Sequence, residues 1–239
     1  MSPMELPTDD RFSVPPQPEI WRTPPRGNVV CFAPHPDDEA AGPGGALCLH
    51  RLQGDRVRVV LATDGAAGDP EGRYPKAAYP EMRRHETRAG MRVLGIEAAD
   101  IVFWGFLDSC VITEGDLDHV SQLVAQQVKE SQADVVYLPW EGEGNSDHRA
   151  LYCGVVRGLR RMGFPGLALG YEIWNAMVPD VVLDITAVAA RKREAMLCYP
   201  TQLAYVEYLH PIFGLNAHRS MLFNQGRGFG EAYRRVQVR

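Results

Sequence analysis

Val29-Val30-Cys31-Phe32-Ala33-Pro34-His35-Pro36-Asp37-Asp38-Glu39 joins five apolar residues to a turn crowded with acids and an imidazole. A short, partly β-branched apolar run of this kind suits a strand buried on both faces of a sheet. Outward from it, strand-like and helical stretches alternate. Gly44-Gly45 opens a helix, residues 56–63 read as a strand, and residues 81–94 read as a helix stopped by Gly95. Residues 101–104 are the next strand, and Leu117, Val120, Leu123, Val124 and Val128 fall on one helix face. A strand at 135–138, a helix at about 147–161, strands near 168–174 and 181–183, and a helix at 187–197 complete the pattern. This alternation predicts an α/β fold, a Rossmann-like three-layer α/β/α arrangement around a mostly parallel sheet. After Pro200, the glycines at 214, 226, 228 and 230 predict loops with a short terminal helix.

A chain of 239 residues suffices for one well-packed domain. Residues 1–27 carry Pro3, Pro7, Pro15, Pro16, Pro18, Pro24 and Pro25, too many for a helix or central strand, and are expected to form an arm. Residues 28–239 are expected to form the single domain. A net charge of -5 has the wrong sign for neutralising phosphates, so nucleic acid is an unsuitable partner. The arginines at 227, 234, 235 and 239 are expected on a solvated helix face. No apolar run reaches membrane-spanning length, and the N-terminus lacks the basic-then-apolar order of a secretory signal. Five cysteines without Cys-x-x-Cys spacing read as free, mostly buried thiols. Together these features predict a cytoplasmic protein without membrane insertion. They leave the oligomeric state open, a homo-oligomer included.

In an open parallel sheet, ligands bind outside the carboxyl ends of the strands. Two such ends are rich in chemistry: residues 34–39, and residues 141–148 with Asp147-His148. Four acid or imidazole groups within five residues repel one another unless a cation sits among them. His35 and Asp38, three apart around a turn, can share a centre that His148 completes from a neighbouring strand end. Two imidazoles and a carboxylate leave an open position, and zinc in such a site brings the pKa of its water to about 7. Each piece also has a plainer reading: Asp37 or Asp38 as a helix cap, His148 as a helix-start residue bonded to backbone.

The motifs Pro34-His35-Pro36-Asp37-Asp38-Glu39 with Gly44-Gly45, Ala62-Thr63-Asp64-Gly65-Ala66-Ala67-Gly68, Arg83-x-x-Glu86 leading to Leu94-Gly95, and Ser146-Asp147-His148-Arg149 resemble the PIG-L (LmbE-like) deacetylases in order and spacing. Gly214-Leu215-Asn216 with Arg219 looks like a later feature of the same family. The resemblance implies a Rossmann-like zinc hydrolase removing the N-acetyl group of an N-acetylglucosamine-type conjugate. It implies His35, Asp38 and His148 as ligands of Zn2+, or of another divalent metal such as Fe2+, and Asp37 as general base. By the same resemblance Arg83 contacts the sugar and Asp147 holds an imidazole or water, while Asp64 is a candidate for lining the same cleft. The partner is then a small amino-sugar conjugate.

One position departs from the family pattern: Asn145 stands where a histidine is usual in His-x-Asp-His. An asparagine donates a hydrogen bond but shuttles no proton, so Asn145 is expected to serve the oxyanion, with Asp37, His210 or His218 as the acid. Two rivals remain at this level. A non-haem Fe(II) oxygenase uses two histidines and a carboxylate, and a sugar-binding member of the family would lack turnover. Trp104, Trp140 and Trp174 lie at or near strand ends, with core packing expected for two of the three.

Overall fold

The computed structural model describes residues 17–109 and 114–238. In chain order its elements are β1 (Glu19–Trp21), β2 (Val29–Ala33), α1 (Asp38–Ala41), α2 (Gly44–Leu52), β3 (Val57–Thr63), α3 (Tyr79–Val93), β4 (Ile101–Phe106), α4 (Glu114–Ser131), β5 (Val135–Pro139) and α5 (Ser146–Arg161). There follow β6 (Leu167–Tyr171), β7 (Val181–Asp184), α6 (Ala189–Met196), α7 (Pro200–Leu203), α8 (Leu209–Arg219), α9 (Met221–Asn224) and β8 (Gly230–Arg235). The strands form one sheet in the order β1-β7-β8-β6-β5-β2-β3-β4, parallel except where β8 runs antiparallel to β6 and β7.

The apolar runs are buried from both sides, as their lack of polar alternation requires. In β2, Val29, Cys31 and Ala33 join one core cluster and Val30 and Phe32 the other. Val57, Val59 and Leu61 of β3 oppose Val60 and Ala62 in the same way, the two-residue period of a strand. Val120, Val124 and Val128 of α4, with Leu151, Val155 and Leu159 of α5, cover one face. The other face carries Ala46, Leu47, Met91 and Met196, from α2, α3 and α6.

The order β4-β3-β2-β5-β6 places the site. From β2 the chain moves outward through β3 to β4, then returns across β2 to β5, so connections diverge between the carboxyl ends of β2 and β5. Such a switch point opens a crevice. Residues 34–39 and 140–148 emerge there.

Three expectations change. The segment after Pro200 is not mainly loops: α7, α8 and α9 occupy most of it ahead of β8, with Gly214 inside α8. The chain after Gly230 is not a terminal helix but β8, with Ala232 and Tyr233 buried; Arg234 and Arg235 therefore lie on a strand. The strand carries a glutamate, Glu231, that is buried against Lys192, 2.7 Å away. Within the expected arm, Glu19–Trp21 forms an edge strand on β7, a place where nearby prolines are tolerated. Residues 1–16, Cys110 and Arg239 lie outside the described residues. Cys31 and Cys48 are buried free thiols, whereas Cys153 is exposed on α5. No helix among the described residues is long and apolar enough to cross a membrane.

Candidate active site

The turn after β2 bends sharply at Asp37, whose φ of 135° is a conformation that non-glycine residues rarely adopt. Holding it costs about 1–3 kcal/mol. Several contacts hold it there: Asp37 N donates to Glu39 Oε2 (2.9 Å), and the Asp37 carbonyl accepts from the amides of Ala40 and Ala41. The Asp37 side chain makes no cap bond, which leaves its carboxylate for other work.

Helix α1 begins at Asp38 and aims it at two imidazoles. Asp38 Oδ2 lies 3.0 Å from His35 Nδ1 and 3.2 Å from His148 Nε2. Ligand-type atoms of His35, Asp38 and His148 fall within 4.8 Å of one another. His148 is fully buried in the first turn of α5, and neither of its ring nitrogens has an aligned hydrogen bond, although Glu143 Oε2 lies 3.4 Å from Nδ1. A buried histidine satisfied by backbone would not look like this; unpaired nitrogens facing a carboxylate suit a cation. The other ring nitrogen of His35, Nε2, stands 3.2 Å from both Asp108 and Asp147, and these three form a second group of ligand-type atoms.

Charge follows this geometry. Burial opposes ionisation of Asp38, but His148 and His35 outweigh it and hold the carboxyl well below its usual range. Burial likewise opposes the charge on His148, yet Asp38 pushes it up to about 9. His35 is raised in the same way, with Asp108, Asp147 and Asp38 overcoming burial. Asp37 behaves differently: burial raises it to about 6, with Arg83 pulling back and Asp38 adding to the rise. Glu39, buried and bonded to the Tyr199 hydroxyl at 2.6 Å, is pushed up to about 7, chiefly by burial. The cluster thus attracts positive charge, while Asp37 remains a carboxylate able to exchange a proton near neutrality.

Arg83 lies behind Asp37 rather than facing outward. Its side chain is 1% exposed, and Nη2 donates to the Pro36 carbonyl and to Asp37 Oδ2 (3.2 Å). Gly65 permits this approach: at φ 65° it follows Asp64, and a Cβ there would stand 2.9 Å from Pro36 Cδ and 3.0 Å from Arg83 Nε. Asp64 itself organises the turns, accepting from Ala66 N (3.0 Å) and Asp108 N (3.2 Å). Asp147 accepts from Ser109 N (2.8 Å) as it faces His35. Asn145 is the cap of α5, its Oδ1 accepting from Asp147 N at 2.8 Å, which leaves its amide NH2 free to face the cleft that it lines.

That cleft, about 180 Å³, is bounded by His35, Asp37, Asp38 and Asp108 at its floor, with Trp174 and Tyr208 also on its wall. His210 and His218 are absent from the residues lining it; both are exposed, and His218 borders a separate surface groove beside Val178 and Met221. Trp104 packs on Phe32 and Phe106, and Trp140 donates to the Asn175 carbonyl, so of the three tryptophans only Trp174 lines this cleft.

The sequence reading missed Asp108 and Glu143. Asp108 reaches His35 because β4 pairs with β3 through a register shift near Leu61 and Thr63, which no local pattern announces. Glu143 offered a signal: with Glu141 it is one of two acids in the glycine-containing turn Glu141-Gly142-Glu143-Gly144 just past β5, at a strand end already under scrutiny.

Fold and site together define a doubly wound α/β protein with a two-histidine, carboxylate centre at its switch point. The chain belongs to the PIG-L family, whose profile, described as GlcNAc-PI de-N-acetylase, matches residues 30–158. It is 30% identical over 201 residues to a probable N-acetyl-alpha-D-glucosaminyl L-malate deacetylase 2 of Bacillus cereus, covering 81% of this chain and 83% of that protein. Its fold superposes on N,N'-diacetylchitobiose deacetylase from Pyrococcus horikoshii with a TM-score of 0.76 at 21% identity, over 88% of this chain and 84% of that one. It also superposes on GalB, the 4-carboxy-2-hydroxymuconate hydratase of Pseudomonas putida, with a TM-score of 0.71 at 20% identity, over 90% and 98%. The fold alone therefore does not fix the reaction.

Proposed function

We propose that this protein is a zinc-dependent deacetylase that hydrolyses the N-acetyl group of an N-acetylglucosamine-type conjugate, releasing acetate and a free amine. The observation that carries the reading is the convergence of His35, Asp38 and the unsatisfied ring nitrogens of buried His148, with the Asp37 carboxylate beside them. Relatives named as deacetylases of amino-sugar conjugates support the same substrate class.

His35, Asp38 and His148 would hold the metal, two imidazoles and a carboxylate being a donor set zinc accepts. When bound, zinc supplies Lewis-acid polarisation of the acetamide carbonyl and lowers the pKa of water. Asp37 takes the proton of the attacking water on its carboxylate and returns it to the leaving amine nitrogen, acting as base and then acid. Arg83 keeps that carboxylate oriented from behind. Glu143, fixed by the amides of Ile173 (2.7 Å) and Trp174 (3.2 Å), orients His148 from its Nδ1 side. Asp147 and Asp108 hold the far side of His35 in the same manner. Asn145 offers its amide N–H to the developing oxyanion, its Oδ1 being engaged with α5.

Acetate release from a panel of N-acetylglucosamine conjugates, with oxygen uptake recorded in parallel, tests this reading. Acetate without oxygen consumption supports hydrolysis. Oxygen consumption supports an iron oxygenase, and binding without either product supports a sugar-binding role.

A further inference from the structure

Behind the cleft, two buried residues support the strained turn that carries Asp37. Tyr199, between α6 and α7, is 2% exposed and is not among the residues bordering the cleft. Its hydroxyl donates to Glu39 Oε1 at 2.6 Å, and the other oxygen of that carboxylate, Oε2, accepts from Asp37 N at 2.9 Å. The two donors thus meet on opposite oxygens of one fully buried carboxylate, and a continuous strut runs from Tyr199 through Glu39 to the Asp37 backbone. With both oxygens engaged, the buried acid is satisfied without a partner from the cleft.

The foot of this strut is fixed on α3. Thr201, two residues beyond Tyr199, donates through its amide and its hydroxyl to the two oxygens of Glu86, at 2.9 and 2.7 Å. Gln202 Nε2 donates to the Tyr79 hydroxyl (2.7 Å) and to the Gly68 carbonyl (3.0 Å). Tyr79 and Glu86 belong to α3, the helix that also brings Arg83 to the Asp37 carboxylate. The same helix meets Tyr199 directly at Gly90, where a Cβ would stand 2.8 Å from the Tyr199 hydroxyl. One helix therefore braces Asp37 twice, its carboxylate through Arg83 and its backbone through Tyr199 and Glu39. The φ of 135° is disfavoured for a residue with a side chain and persists only while such contacts over-determine it. A general base must stay within hydrogen-bond reach of the attacking water, and a shift on the order of 1 Å costs about a hundredfold in rate.

Resting on the deacetylase reading above, we infer that Tyr199 is a positioning residue for the reaction: its hydroxyl anchors the Glu39 carboxylate, and Glu39 holds the Asp37 backbone in the conformation that presents the base to water. Tyr199 acts without touching the substrate. Its effect passes through one buried carboxylate, so cutting the strut at Tyr199 or at Glu39 has the same consequence at Asp37.

The test measures metal content, and kcat and KM for acetate release from N,N'-diacetylchitobiose, in the zinc-loaded wild type and in Tyr199→Phe, Glu39→Ala, the double variant and Glu39→Gln. Tyr199→Phe should keep its metal and its KM while kcat falls about tenfold. Glu39→Ala should be slower still, and adding Tyr199→Phe to it should bring no further loss, because both cut one strut. Glu39→Gln should hold kcat within about threefold of the wild type, since its amide oxygen accepts from Asp37 N while its NH2 donates to the Tyr199 hydroxyl. Wild-type kcat in Tyr199→Phe, or losses that multiply in the double variant, overturns the inference, and Tyr199→Phe alone decides it should Glu39→Ala fail to fold. Crystal structures of the wild type and Tyr199→Phe are read separately from turnover. A displaced Asp37 backbone or carboxylate in the variant upholds the strut even if the wild type releases no acetate, a result that would refute only the deacetylase reading. An unmoved Asp37 refutes the strut even where acetate is released.

Discussion

Helix α1 lies between two buried clusters of charge that end in opposite states. Beyond its last turn, Lys192 Nζ donates to the Gly42 carbonyl (2.9 Å) and to Glu231 Oε1 (2.7 Å). Glu231 also accepts from Gly45 N (2.7 Å), Ala46 N (2.8 Å) and the Tyr233 hydroxyl (2.6 Å). The carboxylate sits at the N-terminus of α2, where exposed amides favour an anion, and every contact is aligned. At the start of α1, Asp38 and His148 are buried and His35 nearly so, but the cluster is incomplete: neither nitrogen of His148 has an aligned hydrogen bond, and Asp147 Oδ1 has none either. Buried acids and bases occur in both places, so composition does not distinguish them. Satisfaction does. The first cluster closes on itself and joins β8 to α2, whereas the second leaves donor atoms converging on one point, as a ligand-binding centre must.

The contrast breaks most severely at His148. His148→Ala should lose bound metal and reduce acetate release to background, because two remaining ligands hold zinc poorly. Metal analysis of the purified variant checks this, and a full complement of metal would remove His148 from the ligand set. Lys192→Met should do the reverse. Stranding Glu231 without its cation should cost about 3–5 kcal/mol of stability, read by urea denaturation, while the folded fraction keeps its metal and turnover. Metal loss at undiminished stability would show that the two clusters are one functional unit.

A smaller effect is expected at Asp37. Asp37→Asn should retain metal and fold but lower kcat about a hundredfold, since an amide cannot accept the proton. The sign of the pH dependence follows from the same residue. The base works when ionised, so kcat/KM falls as pH drops through its pKa. Burial sets that value at about 6, and a cation beside it only lowers it, so the acid limb should lie at or below about pH 6 and vanish in Asp37→Asn. A limb that persists in the variant belongs to another group.

The smallest effect is expected at Asn145, where cap and donor are separable. Asn145→Ala should lose about 1 kcal/mol of stability with the α5 cap. Asn145→Asp keeps the acceptor and should recover that stability, yet both variants should turn over more slowly than the wild type for want of the N–H donor. Wild-type turnover in Asn145→Asp would confine the residue to capping.

How much of this was legible in the sequence depended on how local each signal was. The doubly wound sheet was readable because β2 and β5 are continuous apolar runs and β3 is one apart from Arg58 near its start and Thr63 at its end, with helix-length segments between them, and the first strand end announced itself through His35, Asp37 and Asp38 within four residues. Arg83 was readable as important but not as a support behind Asp37, since its direction depends on α3 packing against the turn. Strand β8 was illegible because Glu231 is neutralised by Lys192, 39 residues away. Asp108 and Trp174 owe their places to loops held by partners distant in sequence, Asp147 through Ser109 in one case and Glu143 in the other.

The central claim, that the incomplete cluster is a catalytic metal centre, is tested most directly by chelation and reloading. Protein stripped with a chelator and dialysed should bind about one equivalent of zinc per chain. Acetate release from N,N'-diacetylchitobiose or a related conjugate should be absent in the stripped protein and return in proportion to zinc bound. Undiminished acetate release from protein shown by elemental analysis to be free of metal would contradict the account.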